Sequence, residues 1–305
     1  MNPHKTVTSS DDTPVIERPE KISSLQTVLD IPSSSLFSPE LSSWLQQKKT
    51  KVSLANIITG DNIVPDASSI KSASFASYRT ETVIGGDDRV LANPRENPFN
   101  KICALRIRTK NGLMYVGTGW FISSNVLATA GHCVYLHDGG GWADQISVIP
   151  FLNGDESGVR SYTARKFHSS EGWVNDRNSD HDYGVIVLDE PVGDVSGWFS
   201  FASFPDSDLN TSVVNICGYP LDRDNATRQY IHGRKLVRAS ERRIYYDIDT
   251  FGGQSGCPAY LKLSNGKIYA IGIHTYGGAT ANYGSRINAE VFYNLQKWKH
   301  DPFGS

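Results

Sequence analysis

Short runs of apolar and β-branched residues, each bounded by Gly, Asn, Asp or Ser, recur along the chain from about residue 82 onwards. Such runs predict short β-strands separated by turns, and many in succession predict a sandwich or barrels. The runs are CALRIRT (103–109), MYVGTGWFI (114–122), NVLATA (125–130), DYGVIVL (182–188), SVVNICGY (212–219), RIYYDIDT (243–250), CPAYLKL (257–263) and KIYAIGIHT (267–275). The sequence therefore predicts an all-β body.

One helix is predicted, at the carboxyl end. In AEVFYNLQKWKH (289–300), Val291, Leu295 and Trp298 are spaced i, i+4 and i+7, which places them on one helical face.

Residues 1–81 have a different composition. They are rich in serine, scattered among Pro, Asp and Lys, and contain few aromatic residues. This composition is typical of a leader or pro-segment that is partly disordered. No apolar core of a signal peptide is visible at the amino terminus. The strand-like pattern of residues 82–305 predicts the main domain.

Composition and charge exclude several classes of partner. The net charge of −2 offers no attraction to nucleic acid or an anionic membrane surface, and no apolar run is long enough to span a membrane. The glycines at 139–141 lack the Lys-Ser/Thr of a phosphate-binding loop, and the histidines match no zinc spacing. We expect no cofactor, no metal, no nucleic acid and no membrane.

Three motifs, in chain order, carry the residues that acyl transfer by a hydroxyl requires. His132 lies in Thr-Ala-Gly-His-Cys directly after an apolar run, Asp182 opens the run DYGVIVL, and Ser255 lies in Gly-Gln-Ser-Gly-Cys-Pro. A base must accept the hydroxyl proton, a carboxylate must hold the base in one tautomer, and donors must stabilise the oxyanion. The backbone amides of Gly253 and Ser255 are the candidate donors. Asp180 competes with Asp182 for the carboxylate role.

From Thr82 onwards the chain resembles the bacterial glutamyl endopeptidases, a trypsin-like branch that cleaves after Glu and less often Asp. The stretches that carry the resemblance are TVIGGDDR (82–89), TGWFI (118–122), TAGHCVY (129–135), DYGVIVL, GYP (218–220), DTFGGQSGCP (249–258), IGIHTYGG (271–278) and EVFYNLQKWK (290–299). The resemblance implies two six-stranded antiparallel β-barrels and a C-terminal helix. The first barrel is expected at about 82–195, the second at about 205–288 and the helix at about 289–300.

The resemblance also implies a substrate pocket. His274 takes the position of the family's histidine that contacts the substrate carboxylate, and Thr250 supplies a nearby hydroxyl. Asp249 leaves a second interpretation open, because trypsins carry their Arg- and Lys-selecting acid at this position. An Asp249 carboxylate that faced the pocket would repel an acidic substrate.

Processing is predicted at Glu81–Thr82. Trypsins pair a new amino terminus with an Asp before the nucleophile, but Gln254 stands there and cannot form an ion pair. In the resembling family the amine lies near the pocket instead, so Thr82 and Val83 are expected to border it. The cut falls after a Glu, and such an enzyme is therefore predicted to make it on itself.

The four cysteines allow three pairings, and spacing selects none of them. The bridge that the trypsin-like cysteine after the catalytic histidine usually forms is not expected, because Gly117 stands at the partner position. Cys217 and Cys257 are expected on neighbouring strands, close enough for a bridge, and Cys133 is expected to pair with Cys103 if their strands approach, or to be free.

One rival class remains beside the protease, because a catalytically silent protease fold could serve only for binding. An α/β-hydrolase does not fit, since Cys257 interrupts its GxSxG motif and the strand pattern and residue order differ. The resemblance implies an extracellular monomer that acts on proteins or peptides and interacts with its own pro-segment 1–81.

Overall fold

A computed structural model of the chain describes residues 3–9, 71–72, 82–278 and 280–303. Its strands are β1 Thr6–Thr8, β2 Lys71–Ser72, β3 Val90–Leu91, β4 Ile102–Arg108, β5 Met114–Phe121, β6 Val126–Thr129, β7 Tyr135–Leu136, β8 Gly141–Trp142, β9 Gln145–Pro150, β10 Tyr162–Ala164, β11 Lys166–Ser170, β12 Gly184–Val187, β13 Ser200–Phe201, β14 Val213–Gly218, β15 Tyr230–Ala239, β16 Arg243–Tyr246, β17 Pro258–Lys262, β18 Ile268–Tyr276 and β19 Asn282–Arg286. Its α-helices are α1 Gly131–Val134, α2 Glu171–Val174, α3 Gly193–Ser196, α4 Asp206–Leu209 and α5 Ala289–His300.

The longer strands form two sheets. The first runs in the order β1-β11-β12-β6-β5-β4-β9-β10, with β2 beside β5. In the second, β18, β17, β14, β15, β16 and β19 follow one another, and pairing of β18 with β19 closes them into a six-stranded barrel. Pairing within both sheets is antiparallel, except that β2 on β5 and β13 on β18 are parallel.

The all-β, two-sheet architecture of the prediction is confirmed, with two corrections to its details. Among the described residues, only the second sheet is closed by a backbone ladder, since the first ends at β1 and β10 without pairing between them. In addition, β3, at the end of the segment 82–91 (the entering segment), pairs with β15, so Val90 and Leu91 belong to the second sheet and not to the first barrel as predicted.

Each predicted apolar run forms a strand because its side chains are covered by the core. The first four residues of β4 are all buried, as are all four residues of β6 and of β12. Continuous burial of this kind explains why the runs are apolar on both faces instead of strictly alternating.

The predicted C-terminal helix is confirmed as α5. Asn288 caps it, since its side chain accepts a hydrogen bond from the Val291 amide. Val291, Leu295 and Trp298 are all buried, as their spacing predicts. No helix in the described ranges is long and apolar enough to cross a membrane.

Two short pieces of the predicted pro-segment take part in the first sheet. Strand β1 pairs with β11, and β2 pairs with β5. The part of the leader that the structure describes is therefore paired with the protease domain.

Candidate active site

His132 and Asp182 are brought together by the pairing of β6 with β12. Helix α1, which contains His132, begins two residues after β6 ends, and Asp182 lies two residues before β12 begins. In the ladder, Gly184 is opposite Thr129. Because the two strands are antiparallel, the end of β6 lies beside the start of β12. The two predicted residues, 50 positions apart in the chain, consequently meet at one edge of the sheet.

Two hydrogen bonds fix the His132 ring against Asp182. Nδ1 lies 2.6 Å from Oδ2, and the His132 backbone amide donates to Oδ1 at 2.8 Å. A carboxylate at Nδ1 makes that nitrogen the proton donor and leaves Nε2 as the basic nitrogen. Within the described part of the chain, Nε2 has no hydrogen-bond partner.

The charge of Asp182 also sets the basicity of His132. Burial by itself would lower the pKa of His132, but the charge and hydrogen bond of Asp182, together with the neighbouring Cys133, raise the pKa well above its usual range. Gly131 permits this close packing, since a Cβ there would come within 2.9 Å of Asp182 Oδ1 and within 2.8 Å of the Trp173 ring.

Ser255 lies in a loop that packs against the first sheet. Its carbonyl oxygen accepts a hydrogen bond from the Thr118 amide at 2.9 Å and lies 3.7 Å from Cys133 Sγ. The neighbouring Gly256, with φ +88°, is tightly enclosed, because a Cβ there would come within 3.0 Å of the Ala130 amide nitrogen. These contacts place the loop that contains Ser255 against the segment that contains His132.

Gln254 stabilises this loop from within. Its side-chain Oε1 accepts a hydrogen bond from the Phe251 backbone amide at 3.0 Å, and the Gln254 backbone amide donates to the Phe251 carbonyl at 3.1 Å. Gly253 has φ +104°, a conformation that favours glycine. The loop is thus held by the neutral side chain of Gln254. An acidic side chain at this buried position would need a charged partner.

Asp249, the basis of the Arg/Lys alternative, faces the entering chain. Oδ1 accepts a hydrogen bond from the Ile84 amide at 2.7 Å, and Oδ2 accepts one from the Asp88 amide at 2.9 Å. His232 Nδ1 lies 3.2 Å from Oδ2. Both oxygens therefore bind the segment 82–88, and the carboxylate on which the trypsin-like interpretation depended is engaged elsewhere.

Thr82 lies beside the predicted pocket residues. Its carbonyl accepts hydrogen bonds from Asn282 Nδ2 at 2.7 Å and from the Thr250 amide at 3.4 Å. Its amide donates to Asn282 Oδ1 at 3.2 Å. Val83 is half-buried, and Glu81 lies outside the described residues. The structure thus brings Thr82 next to Thr250.

His274 is held from the second barrel. Its Nδ1 lies 2.6 Å from the Tyr246 hydroxyl oxygen, and the ring is fully buried. Thr250 is also fully buried, and its Oγ1 has no hydrogen-bond partner among the described residues. In the ladders, His274 pairs with Gly284 and Tyr246 with Asn282, so strands β16 and β19 link these residues.

Several residues around the site were not predicted from sequence. Tyr276 and Trp173 lie with ring centroids 5.5 Å and 6.2 Å from that of His132. Tyr246 hydrogen-bonds to His274, and Asn282 hydrogen-bonds to Thr82. Tyr246 belongs to a predicted strand, but no local sequence signal specifies that its hydroxyl meets a histidine 28 positions later.

The predicted disulfides are absent. None of Cys103, Cys133, Cys217 and Cys257 forms a bridge, and all four are buried thiols. Cys217 Sγ lies 3.6 Å from Gln229 Oε1, and burial raises the thiol pKa of both Cys103 and Cys217. The cysteines act as small core residues here, and the bridges predicted from the expected closeness of their strands do not form.

Within the described ranges, one group of side chains has the composition of a metal site: Asp88, His232 and Asp249. The Asp249 oxygens are occupied by backbone amides, and Arg234 donates to His232 Nε2 at 3.0 Å and pairs with Asp88. A guanidinium beside ligands that are already engaged does not fit a divalent cation.

The fold and the site define a serine endopeptidase with two β-sheets of the trypsin type. The family model for Trypsin matches residues 91–299, and the chain belongs to this family. It is 35% identical over 238 residues to a glutamyl endopeptidase from Bacillus licheniformis, covering 75% of this chain and 73% of that protein. The relatives and solved structures support assignment to the glutamyl endopeptidase branch.

One solved structure and one further sequence relative match over a similar share of the chain. A solved structure titled as a Glu endopeptidase in complex with MPD matches at a TM-score of 0.63 and 29% identity, over 72% of this chain and all of that one. A Bacillus subtilis protein named "Extracellular metalloprotease" is 33% identical over 74% of this chain and 72% of its own length. The name of that relative implies a metal. In this chain the group of Asp88, His232 and Asp249 does not fit a divalent cation, for the reasons given above.

Proposed function

We propose that the protein hydrolyses peptide bonds through Ser255, His132 and Asp182, and that it cleaves after glutamate. The observation that carries the first part is the pair of hydrogen bonds that Asp182 accepts from the His132 ring and backbone. That arrangement holds Nε2 as the base, and the loop that contains Ser255 lies against the His132 segment.

The chemistry follows from these positions. His132 Nε2 accepts the Ser255 hydroxyl proton as Oγ attacks the substrate carbonyl, and the imidazolium that forms is stabilised by the Asp182 carboxylate. The oxyanion is bound by the backbone amides of Gly253 and Ser255. Nε2 then gives the proton to the leaving amine, and water hydrolyses the acyl-enzyme by the same route in reverse.

Specificity for glutamate is supported by three groups that can donate to an anion. Tyr246 fixes the His274 ring through Nδ1, so Nε2 is the nitrogen that can address a substrate carboxylate. Thr250 Oγ1 is a buried hydroxyl, and a new amine at Thr82 would add a positive charge beside Thr250. Asp249 does not repel the substrate carboxylate in this proposal, because its two oxygens accept hydrogen bonds from the Ile84 and Asp88 amides of the entering segment.

We expect His274→Gln to reduce kcat/KM on substrates with Glu before the cleaved bond by about 10- to 100-fold, because a charge-assisted hydrogen bond contributes roughly 1.5–3 kcal/mol. Paired peptides that differ only in Glu or Gln at that position measure the effect.

Asp247→Asn serves as the control for this variant, because Asp247 is partly exposed and lies 3.4 Å from Arg234, and we expect it to leave the Glu preference in place. A peptide library cleaved mainly after Arg or Lys by the parent enzyme would contradict the assignment of the pocket.

The chain is proposed to be a zymogen cut at Glu81–Thr82. In the uncut chain Ser255 is fully buried, which supports an inactive precursor. The bonds of Thr82 to Asn282 hold the new terminus at the pocket after the cut. Secretion is proposed as well, since a relative is named extracellular.

The processed protein is expected to begin at Thr82, as read by amino-terminal sequencing. Glu81→Gln should leave the chain uncut, because the enzyme itself selects the Glu, while Ser255→Ala should also remain uncut until active enzyme is added. A mature terminus far from Thr82 or Val83 would remove the amine from the pocket and refute this arrangement.

A further inference from the structure

Residues 3–9 are bound along the edge of the first sheet. Strand β1 pairs antiparallel with β11, with Thr6 opposite Ser170 and Thr8 opposite His168. Backbone hydrogen bonds continue past both ends, from Ser9 N to Phe167 O and from Gly172 N to Pro3 O, each 2.8 Å. The edge of β11, a surface that binds extended peptides in other sheets, is therefore covered by the chain's own amino terminus.

His4 anchors this strand in a pocket. The side chain is only 6% exposed, and its Nδ1 lies 2.9 Å from the Tyr183 hydroxyl oxygen. Asn294 Nδ2 donates both to the His4 carbonyl and to the same hydroxyl at 2.8 Å. Arg242 and Glu290 contact the other ring nitrogen. The pocket thus combines the first sheet, the hairpin before β16 and helix α5.

The anchored strand also touches the segments that position the catalytic pair. His181 and Tyr183 flank Asp182, and the His181 ring packs edge-on against His4 at 4.3 Å between centroids. Gly172, whose amide bonds to Pro3, precedes Trp173, and the Trp173 ring packs on His132. Loss of the strand would leave the Tyr183, Arg242 and Asn294 side chains without these His4 contacts and expose the edge of β11.

We propose that residues 3–9 occupy a genuine peptide-binding site and stay bound as a separate chain after the pro-segment is cut. The mature enzyme would then be a non-covalent complex of an amino-terminal strand with the protease domain. The two-chain state rests on the proposed processing at Glu81–Thr82, whereas the binding site itself does not. The occupant is an extended segment of this chain that presents the His4 side chain.

The pocket makes retention dependent on pH. The titratable and charged groups that face His4 are Tyr183, His181, Arg242 and Glu290. The Glu290 carboxylate favours the protonated form of His4, whereas burial of the ring disfavours it. Burial, followed by the Arg242 charge, lowers the pKa of His4 from 6.5 to about 4. Protonation of His4 is therefore less favourable in the bound segment than in the released one. The full binding free energy is present above pH 6.5 and decreases as the pH falls toward 4.

The test uses the full chain with Ser255→Ala and a recognition sequence for an unrelated site-specific protease inserted between residues 40 and 41. Cutting there separates residues 3–9 from the domain without any contribution from the enzyme's own activity. Native mass spectrometry and size exclusion then measure whether the amino-terminal fragment remains bound. Hydrogen exchange of the β11 amides reports whether the edge stays covered.

We expect retention at pH 7.5, with binding at least about tenfold weaker at pH 4.5 and about tenfold or more weaker in His4→Ala, from the lost buried contacts. Lys5→Ala is the matched control, because it removes only a partly exposed pair with Glu171 and should change little. Release at pH 7.5, or retention that His4→Ala leaves unchanged, overturns the proposal. Exchange in the uncut His4→Ala chain shows whether that variant is folded. Failure of processing at Glu81 would leave this result unaffected.

Discussion

Ser255→Ala in the processed enzyme should lower kcat by about a millionfold, because the residues of such a triad act as one unit. The acyl-enzyme cannot form without the hydroxyl, and only binding and oxyanion stabilisation remain. Peptide hydrolysis measures the loss, and labelling by a fluorophosphonate probe should disappear in the same variant. The uncut parent should label more slowly than the processed form, because Ser255 is fully buried in the uncut chain.

The matched control for this prediction is the same change at another serine. Ser157→Ala removes a hydroxyl from an exposed residue whose amide donates to Asp155 Oδ1 at 2.8 Å. We expect this variant to keep most of its labelling. Persistent labelling and hydrolysis in Ser255→Ala would mean that another residue is the nucleophile.

Asp182→Asn should lower kcat by about four orders of magnitude, because an amide at Nδ1 favours the tautomer with the proton on Nε2. The pH profile should change as well. In the parent, activity rises as His132 loses its proton, and the Asp182 carboxylate raises the pKa of His132. Removing that charge leaves burial as the dominant effect, so the pKa falls and the acid limb of kcat/KM moves to lower pH.

The competing carboxylate provides the comparison for Asp182. Asp180 lies at the surface and pairs with Arg243, away from the His132 ring. Asp180→Asn should therefore keep both the rate and the pH profile within about twofold, since surface ion pairs contribute less than about 1 kcal/mol. An acid limb that moves in Asp180→Asn and stays fixed in Asp182→Asn would reverse the assignment.

The sequence by itself predicted eight of the strands, the C-terminal helix and the motifs of the candidate site. The apolar runs became strands, and the spacing of Val291, Leu295 and Trp298 gave helix α5, because periodicity is a local property that burial then satisfies. His132 and Asp182 were identified from motifs, and the pairing of β6 with β12 brings them together.

Only the tertiary structure decided how distant segments use these residues. Asp249 could face a pocket or the entering chain, and the amides of Ile84 and Asp88 bind it on the latter side. The cysteines were compatible with bridges, yet core packing leaves all four as thiols. Residues 3–9 looked like leader, but they pair with a strand about 160 positions later. Such contacts depend on which surfaces meet after folding, and composition or spacing within one segment does not encode them.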